Sequence, residues 1–207
     1  KIWPSTITVD NSGNIYIAAV QFPNPQNPSA PYNDPVTKIQ KYDSSGNLLL
    51  TISNTWNVIF THGPASNSGD FAVDSSENIY VAGAGNNLNS IQKFSSTGSD
   101  QGIFASLNFH PRSIVIDNSD NIHVFGYGSS QHYLNIYDTS GQLLNSFSTG
   151  NNRGTMTVDD QGNIWLFDNM TIHKYDSSGN LLLTTTTTVD NRHHEYAGIA
   201  VNSDGIV

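Results

Sequence analysis

Cysteine is absent from the 207 residues, so neither a disulfide framework nor a thiolate zinc site can form. Glutamate occurs only at Glu77 and Glu195, and charged residues of all kinds make up 12 %. The side chains that clothe exposed helices are therefore scarce. Basic residues number 8 against 17 acidic ones, a formal charge of −9. That balance argues against a nucleic-acid backbone or an anionic membrane surface as the main partner, since both need a basic patch. No apolar run approaches the roughly 20 residues that span a bilayer, so membrane insertion is not expected. No basic segment followed by an apolar one is visible after Lys1, so no signal peptide is expected in this stretch.

What the chain does have is turn and strand formers. Asn, Ser, Thr and Gly together supply 84 of the 207 residues. Apolar residues are only 36 %, but they include 9 Tyr, 9 Phe and 3 Trp. Such a composition suits an all-β chain with several small aromatic cores. Abundant Ser, Thr and Asn with few Lys is also common at cell surfaces and in secreted proteins, so an extracellular or cell-surface location is expected.

The chain repeats itself. ITVDNSGNIYIAA from Ile7, FAVDSSENIYVAG from Phe71, IVIDNSDNIHVFG from Ile114 and MTVDDQGNIWLFD from Met156 align, and a stump, IAVNSDGIV, starts at Ile199. Each of the first four is followed by a second motif: KYDSSGNLLLT from Lys41, KFSSTGS from Lys93, IYDTSGQLL from Ile136, and KYDSSGNLLLT again from Lys174. Every repeat reads as four strands. A short apolar strand precedes a hairpin turn of the form Asp-x-x-Gly-Asn, in which the carboxylate caps backbone N–H groups and Gly or Asn takes the left-handed conformation. A second strand, a variable loop, a third strand, a second Asp- or Ser-led turn and a fourth strand follow. Short strands at a period near 43 residues predict β-propeller blades near 7–52, 71–107, 114–147 and 156–188, with part of a fifth at 199–207. The first repeat is lengthened by insertions around Phe22–Pro35 and Thr61–Gly69.

The two motifs together, apolar-x-Val-Asp-x-x-Gly-Asn-Ile-Tyr-Val and Ile-x-Lys-Tyr-Asp-x-x-Gly, resemble the NHL-repeat β-propellers and their SBBP-type bacterial relatives. The resemblance covers the whole chain. It implies a single propeller domain over 1–207 that serves as a binding platform for protein or glycan. A minority of such propellers are metal-dependent lyases or lactonases. Four blades and a stump do not close simply, so the domain is expected to be incomplete, part of a ring of about six blades or of a larger repeat array.

The repeat columns separate structural residues from candidate site residues. Tyr16, Tyr80, His123 and Trp165 share one column, so His123 is read as a packing ring. Gln40, Gln92, Asn135 and His173 share another, so His173 is read as standing in for an amide. Lys41, Lys93 and Lys174 recur beside an aromatic and are read as snorkelling edge residues. The recurrent aspartates, from Asp10 to Asp176, are read as turn caps, because their spacing does not fit a calcium loop.

Five histidines have no counterpart in other repeats: His62, His110, His132, His193 and His194. Each falls in a connection opposite the hairpin turns, as do both insertions and Trp56. Variable loops on a rigid scaffold are where binding residues concentrate. The candidate binding set is therefore Trp56, His62, His110, Arg112, His132, His193, His194 and Glu195. A divalent metal at the channel mouth, held by His110, His193, His194 and Glu195, is the alternative. No pair among them has a standard ligand spacing. No Gly-x-Ser-x-Gly elbow or phosphate-binding glycine loop is present. The expected function is thus a non-catalytic module that binds protein or carbohydrate or serves structurally, self-association included, with no catalytic residues and no cofactor. The alternative is a metal-dependent propeller lyase or hydrolase.

Overall fold

The computed structural model of the chain describes residues 2–21, 36–54, 69–85, 88–150, 154–168, 170–186 and 199–201. Sixteen strands form four antiparallel four-stranded sheets, each a simple meander in sequence order. The first holds β1 (Ile2–Val9), β2 (Ile15–Gln21), β3 (Val36–Tyr42) and β4 (Leu48–Asn54). The second holds β5 (Asp70–Val73), β6 (Ile79–Gly85), β7 (Leu88–Phe94) and β8 (Asp100–Ser106). The third holds β9 (His110–Ile116), β10 (Ile122–Tyr127), β11 (His132–Tyr137) and β12 (Leu143–Gly150). The fourth holds β13 (Thr155–Val158), β14 (Ile164–Asp168), β15 (Thr171–Tyr175) and β16 (Leu181–Thr186). No helix occurs among the described residues, and none is long and apolar enough to cross a membrane. The chain divides into two compact units, Lys1–Leu107 and Asn108–Val207.

The hairpin turns follow one design. Asp10 Oδ1 accepts the backbone N–H groups of Ser12 and Asn14, both at 2.9 Å, and its Oδ2 accepts the Asn14 amide at 2.8 Å. The same bonds recur at Asp43, Asp74, Asp117, Asp159 and Asp176. The residue three places after Asp takes positive φ, by Gly at positions 13, 46, 141, 162 and 179 and by Glu77 (63°) and Asp120 (60°) in the other two turns. The carboxylate thus satisfies donors that a tight turn would leave bare.

Register decides which residues share a face. Thr8, Tyr16, Lys41 and Leu50 stand opposite one another across the first sheet. That face, with Tyr16, Ala18, Ile39 and Ile52, packs on Phe71, Ile79, Val81 and Phe94 of the second sheet. In the second unit Phe125, Leu134 and Ile136 of the third sheet pack in the same way on Met156, Ile164, Leu166 and Tyr175 of the fourth. The small residues Thr8, Ala72 and Thr157 each face a large ring (Tyr16, Tyr80 and Trp165), on the opposite sheet face from their apolar neighbours in sequence.

The aspartate of the first hairpin in each blade also holds the ring column. Asp Oδ2 accepts from Tyr16 (3.1 Å), Tyr80 (3.1 Å) and Trp165 (2.9 Å), and His123 Nε2 lies 3.0 Å from Asp117 Oδ2. His123 is a buried packing ring, as the repeat column predicts. Lys41 corrects the snorkelling expectation, while Lys93 and Lys174 stay partly exposed. Lys41 is buried, 2.7 Å from Glu77 and 3.6 Å from Asp10, and Lys174 is 3.1 Å from Asp159. Lys41, Lys93 and Lys174 lie 5.2, 5.0 and 4.5 Å from the centroids of Tyr16, Tyr80 and Trp165. An ammonium beside a buried carboxylate and a ring face gains more there than in water, so it stays inside. Burial alone would pull the Lys41 pKa down, but the bonds that its ammonium makes to Glu77 and Tyr16 outweigh it and raise it.

Candidate functional site

The loop end of the third sheet gathers the candidate residues that the structure describes. Tyr127, at the end of β10, pairs with His110 at the start of β9 and with His132 at the start of β11. His132 pairs in turn with Gly150 at the end of β12. The turn aspartates Asp117 and Asp138 lie at the opposite end of the same sheet, because each hairpin reverses the chain there. His110 and His132 therefore share one end, as expected. Trp56, His62, His193, His194 and Glu195 lie outside the described residues, as does the Phe22–Pro35 insertion.

The two histidines differ in what they offer. His132 is buried, its ring stacked on Phe125 at 5.5 Å and 17°, with Tyr127 at 5.1 Å. Alternation along β10 and β11 puts Phe125, Tyr127 and His132 on one face. His110 and Arg112 are exposed, and Tyr127 is 41 % exposed. A second stack, Phe109 on Tyr133 at 6.2 Å and 19°, involves the opposite face of β11, and Gln131 donates to the Tyr133 hydroxyl at 3.0 Å. Gly126 allows the strands to meet here: a Cβ at that position would stand 2.1 Å from the His110 carbonyl oxygen. The result is a half-exposed tyrosine ring packed on a buried imidazole, with the exposed His110 opposite it on the adjacent strand. Such a surface can stack on a sugar or an apolar side chain and donate hydrogen bonds around it.

Sequence reasoning missed Tyr127. Its signal was the Gly126-Tyr127-Gly128 triplet at a strand end, where two glycines let neighbouring backbone and rings approach closely on either side of a large ring. It also missed that the turn aspartates bond the ring column, which the constant six-residue spacing of Asp10–Tyr16, Asp74–Tyr80, Asp117–His123 and Asp159–Trp165 would have revealed. Among the described residues no three His, Asp or Glu side chains come together to hold a metal ion.

No family model matches the chain, and no curated protein sequence matches it. Solved structures do. Virginiamycin B lyase from Staphylococcus aureus matches with a TM-score of 0.56 at 14 % identity, over 89 % of this chain and 70 % of its own. A gluconolactonase from Xanthomonas campestris gives 0.53 at 15 % identity, over 80 % and 54 %. A nidogen/laminin complex gives 0.58 at 13 % identity, over 84 % and 60 %. The chain thus spans between 54 % and 70 % of these neighbours' lengths. They include enzymes and a protein–protein complex, and at such identity the likeness speaks for the fold alone. Four antiparallel four-stranded meanders, stacked face on face within each unit and matched by these neighbours, give this chain the β-propeller fold.

Proposed function

We propose that the chain is a non-catalytic binding module of the NHL-like propeller type, working outside the cell or at its surface. The carrying observation is the Tyr127 ring, 41 % exposed and packed on the buried His132 ring, which in turn stacks on Phe125, with His110 and Arg112 exposed on the adjacent strand β9. A ring held by packing loses little entropy when a ligand stacks on it, which is why tyrosine anchors so many recognition surfaces. Carbohydrate is the ligand class this platform suits best, with a protein side chain as the other. Trp56, His62, His193, His194 and Glu195, which lie outside the described residues, stay in the candidate set on the sequence pattern alone. A glycan array probed with the chain and with Tyr127→Ala tests the reading. Capture that falls by ~30-fold or more in the folded variant supports it. Capture that is equal in both forms removes Tyr127 from the site.

The second reading is a metal-dependent lyase or hydrolase using His110, His193, His194 and Glu195. Its support is that neighbours of the same fold include a virginiamycin B lyase and a gluconolactonase. Metal analysis of the purified chain separates the two: a stoichiometric divalent ion lost on His110→Ala favours the enzyme, and a metal-free chain that still captures ligand favours the module.

A further inference from the structure

The third blade departs from its relatives at the turn end, away from Tyr127. In the first blade Asp10 Oδ2 meets the Asn14 amide at 2.8 Å, the Tyr16 hydroxyl at 3.1 Å and the Lys41 ammonium at 3.6 Å. In the fourth, Asp159 Oδ2 meets the Asn163 amide at 3.0 Å, the Trp165 indole at 2.9 Å and the Lys174 ammonium at 3.1 Å. In the third, Asp117 Oδ2 meets the Asn121 amide at 3.0 Å and His123 Nε2 at 3.0 Å, and there the set ends. The residue opposite His123 on β11, where the other three blades carry lysine, is Ile136.

Three replacements open space at this point. Imidazole stands for a phenol or indole, Ile136 for lysine, and Asn145 for the leucine at position 50 of the first blade. Between the Asp117 turn and the turn joining β15 to β16 lies a cleft of about 440 Å³, lined by Asp117, His123, Ile136, Leu144, Asn145 and Ser178 among others. His123 is fully buried, and its Nδ1 has no hydrogen-bond partner among the described residues. Burial would raise the Asp117 pKa, but hydrogen bonds from His123, Asn121 and the Asn121 and Ser119 backbone hold it down to about 2. The carboxylate is therefore ionised and accepts from His123 Nε2, and Nδ1 is left without a partner among the described residues. This corner holds a carboxylate and an unpartnered ring nitrogen, and it lacks the lysine that the first and fourth blades place beside the same aspartate.

We propose that this cleft binds a primary ammonium group, seated beside Asp117 where Lys41 and Lys174 seat theirs. Ile136 and Leu144 flank an aliphatic stem, and Asn145, Ser177 and Ser178 line the polar side. Asn145 is fixed there by its bond to the Ser177 carbonyl at 2.9 Å. A charge-assisted bond to a partly buried carboxylate supplies most of the affinity. The shared chemistry is R–NH3+, carried by a free alkylamine or by a lysine side chain of a partner protein.

The test titrates the full chain with n-butylammonium while the His123 ring and Ser178 amide signals are followed by NMR, with n-butanol as the uncharged control. A saturable shift with the amine and none with butanol is expected. Ile136→Lys supplies the internal ammonium and should weaken amine binding by about tenfold or more, and Asp117→Asn should do the same. Two variants are used so that one folded protein suffices. Acetyl-Gly-Lys-Gly-amide identifies the source: tighter binding than butylammonium assigns a protein lysine, and weaker binding assigns a free amine. An equal response to butanol, or unchanged affinity in either folded variant, overturns the proposal.

Discussion

Residues 41–51 and 174–184 are the same eleven amino acids, KYDSSGNLLLT, placed in the first and fourth blades. Their turns are nearly superposable in bonding. The two aspartates accept the same backbone and Asn-amide bonds at 2.8–2.9 Å, and Gly46 and Gly179 have φ of 86° and 88°. Their surroundings differ. Lys41 bridges Asp10 to Glu77 of the next blade, whereas Lys174 has Asp159 of its own blade. A Cβ on Gly46 would meet open space, whereas one on Gly179 would lie 2.7 Å from the Phe147 ring. Leu50 packs against the core shared with the second blade, whereas Leu183 is 43 % exposed. Identical local sequence fixes the turn, and the neighbouring blade decides what each side chain is worth.

The largest expected effect comes from the lysines. Lys41→Met leaves the Asp10 and Glu77 carboxylates without their shared cation and should cost roughly 3 kcal/mol, while Lys174→Met, on a more exposed side chain, should cost about half that. Urea unfolding of the two variants measures it, and equal losses would erase the distinction drawn between the blades. The glycines come next. Gly179→Ala combines positive φ with a clash against Phe147 and should cost about 3 kcal/mol, against about 1 kcal/mol for Gly46→Ala. If calorimetry ranks the two variants the other way, the packing of Phe147 on that turn is misassigned.

A third expectation concerns acid. Burial raises the Asp159 pKa, but bonds from Trp165, Asn163 and Lys174 outweigh it and hold it down to about 2. A depressed carboxylate stabilises the fold fully above its unfolded value near 4 and loses that contribution as pH falls toward 2, a term of about 2 kcal/mol. The melting temperature should therefore fall steeply between pH 4 and 2, and Asp159→Asn should flatten that limb. A slope that survives the substitution would place the acid sensitivity elsewhere. The smallest effect separates the leucines: Leu50→Ala should cost about 2 kcal/mol and Leu183→Ala under about 1 kcal/mol, read from the same unfolding curves.

Much of this was legible because a repeat supplies its own alignment. The all-β class, the four-strand meander and the turn aspartates follow from Asp-x-x-Gly-Asn between alternating strands. His123 was recognisable as a packing ring from Tyr16, Tyr80 and Trp165 alone. The buried state of Lys41 was not legible, because a lysine in an alternating strand reads as solvent-facing until the next blade brings Glu77 to it. His132 and His110 looked alike in sequence, and only the stacking of Phe125 and Tyr127 buries one while the other stays exposed.

The sequence by itself determined the strands, the turns and the face each side chain takes, since these depend on alternation and on φ preferences within a few residues. Tertiary structure alone decided which faces are covered and which carboxylates gain a lysine. It also decided that the third blade has a cleft where its sisters have an ammonium. Those outcomes arise where strands of one sheet meet or one sheet stacks on the next, between residues well separated in the chain, and no local propensity encodes them.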